Sequence, residues 1–193
     1  MSKEIVRYNP FDVRTVDTQY SDLMNQILQT GNRKTSIHAQ LPENKNSGHE
    51  FCLEISGATL RYPLANGAPI SPIRDLGNLW QGAIGEIIGF TNGARTLEEL
   101  EHYGCPKQFW EKWVTKEKCD NFGLAEHDLG PGSYGAILTA IPMKGGGTFN
   151  QVDALIKQMQ RNPLLRTNCI STWYAPYALG DKTQDSPRKV VVA

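Results

Sequence analysis

The chain has 193 residues, enough for one sizeable hydrophobic core, and we expect a single domain over residues 1–193. It carries 20 Lys and Arg against 20 Asp and Glu, and this balance argues against nucleic-acid binding, which usually needs a basic excess. No apolar run approaches the roughly 20 residues of a membrane span, and the N-terminus has no apolar signal-peptide core. We therefore expect a cytoplasmic protein without a membrane partner. Its cysteines show no metal-ligand spacing, so we expect no metal and reduced thiols.

The first half of the chain alternates helical and strand patterns. Apolar residues recur at helical spacing in "TQYSDLMNQILQTG", where Asp17 or Thr18 can cap the start and Gly31 the end. The segment "EFCLEISGATLRYPL" predicts two strands joined at Ser56-Gly57. Another helix is predicted from Ser71-Pro72 onward. Its apolar stripe comprises Ala83, Ile84, Ile87 and Ile88.

The second half contains shorter elements around a segment rich in Gly and Pro. Thr96 and Glu99 have the spacing of a capping box, which predicts a short helix in "TLEELEHYG". "DLGPGSYG" predicts an ordered loop, and "FNQVDALIKQMQRNP" predicts an amphipathic helix that stops near Pro163. "TNCISTWY" and "KVVVA" predict strands. This alternation is typical of a mixed α/β fold.

Glu86 is a candidate for chemistry because it lies at the edge of the apolar stripe in "WQGAIGEIIGF". A carboxylate there is either an exposed helical glutamate or a partly buried, hydrogen-bonded group that manages protons. Trp110 and Trp113 in "FWEKW" are either core residues or two indoles, three apart on one face, that wall a flat aromatic ligand. Arg166 is either solvated or an anion clamp just before a strand.

Taken in order, these segments resemble the thymidylate synthase family, which includes the pyrimidine-nucleotide hydroxymethylases. The resemblance covers the chain from about Tyr20 to Ala193. The segments that carry it are "ISGATLRYPLANGAPISPIRDL", "GEIIGFTNGARTLEELEHYGC", "FWEKW", "DLGPGSYG" and "FNQVDALIKQMQRNPLLR". The most specific of them is "DLGPGSYG". The resemblance implies an α/β fold in which helices flank a large mixed sheet, and a homodimer that packs sheet against sheet.

In that family, the strand corresponding to "RKVVVA" leads into a proline-cysteine-histidine motif whose cysteine is the nucleophile. The sequence ends just before such a motif, so we expect it to represent roughly the N-terminal two-thirds of an enzyme of this kind. On this expectation the chain alone is inactive, and a further segment or a complementing C-terminal polypeptide supplies the nucleophile.

The resemblance also implies the reaction and its catalytic residues. A one-carbon unit would pass from methylenetetrahydrofolate to carbon five of a pyrimidine deoxynucleotide monophosphate. Glu86 would order water and protons, Trp110 would line the ring and folate cavity, and Tyr134 would belong to the same proton-handling network.

Further residues are implied to bind the substrates. Arg166 would hold the nucleotide phosphate, with Arg33 as a second phosphate ligand from the region after the first helix. Trp113 and Asp128 would join Trp110 in lining the cavity for folate and the pyrimidine ring.

Two departures place the chain in a divergent branch of the family. Arg166 is followed by Thr167, whereas the family usually has two adjacent arginines, so Arg161 or Arg33 would have to replace one phosphate ligand. "YGAILTAIP" replaces a polar, Trp-containing stretch. Methyl and hydroxymethyl products, and uracil and cytosine substrates, all remain open. A non-catalytic nucleotide-binding relative and a structural partner subunit that completes another chain are the alternatives to an enzyme.

Overall fold

The computed structural model describes residues 7–35, 51–67, 69 and 76–178. The chain divides into two compact units, Met1–Asp75 and Leu76–Ala193, and each contains its own helices and its own antiparallel strand pair. A single domain over 1–193 stays a prediction. The predicted helix start at Ser71-Pro72 and the predicted strand "KVVVA" lie outside the described residues. The continuous helix predicted from Ser71-Pro72 onward is wrong at residues 76–78, which are not helical, and the helix begins only at Leu79.

The described part of the first unit contains helix α1 (Gln19–Thr30) and two antiparallel strands, β1 (Asn32–Thr35) and β2 (Phe51–Glu54). The predicted helix is confirmed. Thr18 is its N-cap and forms no side-chain cap bond, whereas Oδ1 of Asp17, one residue earlier, accepts a hydrogen bond from the backbone N–H of Gln19 at 3.0 Å. Two short 3-10 turns, at residues 11–13 and 64–66, flank these elements.

The second strand predicted in this unit, after Ser56-Gly57, is wrong, since the described residues 58–63 form no strand. At Arg61 the side-chain amide of Gln19 takes the place of a neighbouring strand. It accepts from the Arg61 N–H at 2.8 Å and donates to the Arg61 carbonyl at 2.7 Å. The backbone N–H and carbonyl of Arg61 are therefore satisfied without a sheet.

The second unit is mainly helical. Its helices are α2 (Leu79–Thr91), α3 (Leu97–His102), α4 (Lys116–Asp120), α5 (Tyr134–Thr139), α6 (Gln151–Arg161) and α7 (Ala175–Ala178). A two-residue strand pair, β3 (Ile141–Pro142) and β4 (Thr148–Phe149), follows α5, and a 3-10 turn spans Lys107–Phe109. Its buried core comprises Phe90, Ala94, Leu97, Leu100, Cys105, Val114, Cys119, Leu129 and Leu138. None of the described helices is both long enough and apolar enough to cross a membrane.

Local capping signals in this unit are confirmed. Thr96 accepts a hydrogen bond from the backbone of Glu99, and the Glu99 carboxylate accepts one from the backbone of Thr96, so the predicted capping box opens α3. The predicted amphipathic helix is α6, which Asn150 caps by accepting from the N–H of Asp153 at 2.9 Å. The Gly- and Pro-rich loop ends at Ser133, whose hydroxyl caps α5.

The strand predicted in "TNCISTWY" is wrong, because the described residues 167–174 form no strand and lead into α7. The side-chain amide of Gln151 donates to the carbonyl of Ser171 at 2.8 Å and accepts from its N–H at 3.2 Å. Gln151 thus bonds both backbone groups of Ser171, as Gln19 bonds both backbone groups of Arg61. Within the described ranges the sheets are two antiparallel pairs, and the large mixed sheet stays a prediction.

Helix α2 buries a face of glycines rather than its apolar stripe. Gly82, Gly85 and Gly89 are buried, whereas Ile84, Ile87 and Ile88 are about half exposed. The glycines allow close contact with the segment that follows α3. A Cβ on Gly85 would lie 2.5 Å from the carbonyl oxygen of Tyr103, closer than any side chain tolerates.

We expect Gly85→Ala to destabilise the second unit by about 1–2 kcal/mol. Overpacking against a backbone lowers the free energy of unfolding by about 1–3 kcal/mol. The better helix propensity of alanine offsets up to about 1 kcal/mol of this loss. Urea unfolding followed by circular dichroism measures the change. Gln81→Ala, at an exposed position of the same helix, is the control and should stay within about 0.5 kcal/mol of wild type. A Gly85→Ala variant as stable as Gln81→Ala would contradict the close packing.

Candidate functional site

A carboxylate and an indole meet where α2 passes the loop after the 3-10 turn. The Nε1–H of Trp110 donates a hydrogen bond to Oε1 of Glu86 at 2.6 Å. Glu86 is half-buried, on the boundary between the buried glycine face and the exposed isoleucine face of α2. A short bond between an N–H and an ionised oxygen is stronger than a neutral one. The exposed alternative for Glu86 is therefore wrong, and the partly buried, hydrogen-bonded carboxylate is the form that the structure contains.

Two further aromatic rings surround the indole of this pair. The rings of Phe90, Trp110 and Tyr134 meet edge to face, with centroids 5.4–6.2 Å apart and interplanar angles of 76–84°. Phe90 is 4% exposed and lies in the core, whereas Tyr134 is 46% exposed. Edge-to-face contacts fix the relative orientation of rings. The structure thus brings together all three residues expected to be catalytic.

A narrow crevice opens beside these rings. It is lined by Phe90, Trp110, Leu129, Gly132, Ser133 and Tyr134, and its volume is about 10 Å³. That is about the space one water molecule needs. The crevice is therefore too small to admit a ring of ligand size.

Cys105 is buried within electrostatic reach of Glu86. Burial, and after it the negative charge of Glu86, raises the pKa of the Cys105 thiol to about 11. Burial also raises the pKa of Cys119, whose Sγ lies 3.6 Å from the carbonyl oxygen of Asp128. Both thiols stay protonated near neutral pH and are poor nucleophiles. Cys52 and Cys169 are exposed.

Asp128, expected to line the ligand cavity, has both carboxylate oxygens occupied by protein groups. Arg95 donates from its Nε to Oδ1 at 2.6 Å and from an Nη to Oδ2 at 2.5 Å. The backbone N–H of Gly130 also donates to Oδ1, at 2.8 Å. Arg95 was not singled out by the sequence, because its partner lies 33 residues away and no local pattern joins the two.

Trp113 does not join the aromatic group. Residues 110–113 form turns instead of a helix, so side chains three apart do not share a face. The Trp113 ring is 45% exposed and has the ammonium group of Lys118 at 5.3 Å from its centroid.

The two arginines expected to bind phosphate occupy different units. Arg166 is exposed in a turn after α6, and it forms no ion pair with any described residue. Arg33 lies on β1 of the first unit, where its guanidinium carbon stands 3.7 Å from the centroid of the Phe51 ring. Within the described ranges, no three His, Cys, Asp or Glu side chains lie close enough together to hold a metal ion.

Comparison with known proteins points to one family. A family model described as thymidylate synthase matches residues 18–182. The thymidylate synthase of Pseudomonas fluorescens is 28% identical over 171 residues, which are 89% of this chain and 52% of that protein. The thymidylate synthase of Corynebacterium aurimucosum is 25% identical over 158 residues, 82% of this chain and 50% of that protein. The chain therefore spans about half the length of the curated relatives it matches.

We expect iodoacetamide to alkylate Cys52 and Cys169 in the folded chain at neutral pH, and to leave Cys105 and Cys119 unmodified. The exposed thiols are accessible, whereas the buried ones are both shielded and protonated. Peptide mass spectrometry over time, with a urea-unfolded sample as the control, measures each site. Glu86→Gln should lower the pKa of Cys105 only in part, since burial is the larger cause. Rapid alkylation of Cys105 in the folded chain would contradict this description.

Proposed function

Because the chain belongs to the thymidylate synthase family, we propose that it contributes an active site for one-carbon transfer to carbon five of a pyrimidine deoxynucleotide monophosphate. The observation that supports this most directly is the hydrogen bond from Trp110 to Glu86, beside the exposed ring of Tyr134. A positioned carboxylate, a water-sized crevice and an aromatic wall suit proton transfer at a flat heterocycle. Methylenetetrahydrofolate would supply the one-carbon unit.

In this proposal Glu86 holds and moves protons at the pyrimidine ring. Its Oε1 is bonded to the indole of Trp110, and Oε2 has no hydrogen-bond partner among the described residues. Oε2 is thus free to bind a water molecule or a ring atom of the substrate. The indole N–H orients the carboxylate, and the ring of Trp110 restricts the access of water to it. Tyr134 lines the crevice together with Trp110, and in this proposal its phenol belongs to the same proton-handling network.

The proposed reaction needs a thiolate that adds to carbon six and makes carbon five nucleophilic. Cys105 and Cys119 do not suit this role, because burial raises the pKa of each, and the exposed Cys52 and Cys169 do not line the crevice beside Tyr134. We assign the nucleophile to a further segment of the protein or to a complementing polypeptide, with a homodimer as the proposed assembly. Such an enzyme would work in the cytoplasm, where free cysteines like these four stay reduced.

Arg166 is the proposed ligand of the nucleotide phosphate. Its guanidinium is exposed and forms no ion pair with the described residues, so an incoming anion meets no competing carboxylate. Arg33 is the proposed second ligand, and Trp113 and Asp128 are weaker candidates for folate contacts. Both are already engaged within the protein, Trp113 by Lys118 and Asp128 by Arg95.

A structural subunit that completes another chain is the second candidate function. The observation that favours it is the apolar side of α2, where large side chains remain about half exposed. These are Leu79, Trp80, Ile84, Ile87 and Ile88. Such a face is typical of a surface that a partner covers.

We expect Glu86→Gln in the full-length protein to lower the turnover rate by about two to four powers of ten. The amide keeps the size of the side chain and accepts from Trp110, but it cannot carry the proton. Nucleotide affinity should change little. Release of tritium from carbon five of a labelled nucleotide measures turnover, and Glu111→Gln, at an exposed position next to Trp110, is the control. Turnover near wild type in Glu86→Gln would remove the catalytic assignment.

Arg166→Ala is expected to lower nucleotide affinity more than turnover, the reverse of Glu86→Gln. It should weaken nucleotide binding by about 1.5–3 kcal/mol, the scale of a hydrogen bond to a charged group, and change the turnover of bound substrate far less. Isothermal titration with the nucleotide monophosphate measures the loss, and the corresponding nucleoside, which has no phosphate, is the control ligand. Equal affinity of wild type and variant would show that the phosphate is held elsewhere.

A further inference from the structure

The Arg95–Asp128 pair joins the end of α2 to the loop that leads to α5. Arg95 follows α2 by four residues, and Asp128 opens the segment 128–133. The two contacts are parallel, from the Nε and an Nη of Arg95 to the two oxygens of Asp128. The Asp128 side chain is only 14% exposed, so its charge is largely removed from water and depends on this partner.

Backbone contacts show that the pair holds a whole segment and not a single side chain. The N–H of Leu129 donates to the carbonyl of Arg95 at 3.0 Å, and Thr96 forms an isolated β-bridge with Asp128. Further along, Gly135 lies so close to Ala94 that a Cβ there would overlap the Ala94 carbonyl oxygen. Residues 94–96 therefore contact the loop at its start, through Asp128 and Leu129, and the beginning of α5, through Gly135.

The segment held in this way carries the aromatic side of the candidate site. Leu129, Gly132 and Ser133 line the crevice, and Ser133 caps α5. The next residue is Tyr134, whose ring contacts both Phe90 and Trp110. A displacement of Asp128 would therefore be passed along a short, hydrogen-bonded loop to Tyr134.

We propose that Arg95 is a positioning residue, which acts through Asp128 to hold the 128–133 loop and Tyr134 against the Trp110–Glu86 pair. The proposal rests on the proposed function for the part that concerns turnover. It assigns the Asp128 carboxylate to Arg95 and not to folate or the pyrimidine. Lysine cannot replace Arg95 fully, because only a guanidinium presents two parallel donors to one carboxylate.

The first test uses nuclear magnetic resonance on the ¹⁵N-labelled 193-residue chain. The four indole N–H signals, one per tryptophan, are followed, and the signal of Trp110 is identified by its loss in Trp110→Phe. Arg95→Gln should shift the Trp110 signal and leave those of Trp80 and Trp173 in place. Lys116→Gln, which breaks the exposed Lys116–Asp120 pair of the same unit, is the matched control and should shift none of them.

The second test uses the full-length protein. Arg95→Gln and Asp128→Asn should each lower kcat by about 10- to 100-fold, the scale expected when a catalytic group is displaced by about 1 Å. KM for nucleotide and folate should stay within about threefold of wild type, since neither residue would contact a substrate. Arg95→Lys should have a kcat between those of wild type and Arg95→Gln. If only the positive charge mattered, Arg95→Lys would have the kcat of wild type.

Three results would overturn the proposal. One is an unmoved Trp110 signal in folded Arg95→Gln. Another is a raised folate KM in Asp128→Asn with normal kinetics in Arg95→Gln, which would make Asp128 a ligand contact. The third is loss of folding in Arg95→Gln, Arg95→Lys and Asp128→Asn alike, which would make the pair a requirement of folding only. A failure of the proposed function gives a different result. Glu86→Gln would then have the turnover rate of wild type, whereas Arg95→Gln would still shift the Trp110 signal.

Discussion

The close approach of α2 to the segment after α3 sets the geometry of everything around Glu86. Gly82 and Gly85 have no side chains to separate the two backbones, so the helix lies directly on Pro106 and on the carbonyl of Tyr103. Glu86 follows Gly85 and is carried to the edge of that contact, within reach of the indole of Trp110. Any larger residue at position 85 would move the helix outward and lengthen this hydrogen bond.

Two carboxylates in the second unit are held by different sets of hydrogen bonds. Among the described residues, Oε1 of Glu86 accepts from one neutral N–H and Oε2 has no partner, whereas Asp128 has both oxygens bonded to a guanidinium and one of them also to a backbone N–H. Asp128 is therefore fixed by several protein contacts and Glu86 by a single one. The charge of Glu86 also adds to the burial that keeps the Cys105 thiol protonated. The candidate site thus has beside it a thiol that stays protonated near neutral pH.

Glutamine side chains replace strand neighbours at two places in the chain. Gln19 bonds both backbone groups of Arg61, and Gln151 bonds both backbone groups of Ser171. A primary amide has an acceptor oxygen and two N–H donors, so one side chain can bond both the N–H and the carbonyl of a single residue without a sheet. Both positions lie in segments whose composition predicts strands, and neither described segment forms one.

The sequence by itself determined the elements that depend on neighbours within a few positions. Helical spacing and caps predicted α1, α3 and α6, because a helix forms its hydrogen bonds within four residues. Motif order indicated the family, and the resemblance named Glu86, Trp110 and Tyr134 together. The tertiary structure alone decided that α2 buries its glycines and not its isoleucines, and that Arg95 pairs with Asp128. Those outcomes depend on contacts between distant segments, 18 residues apart for Gly85 and Tyr103 and 33 for Arg95 and Asp128, which no local pattern encodes.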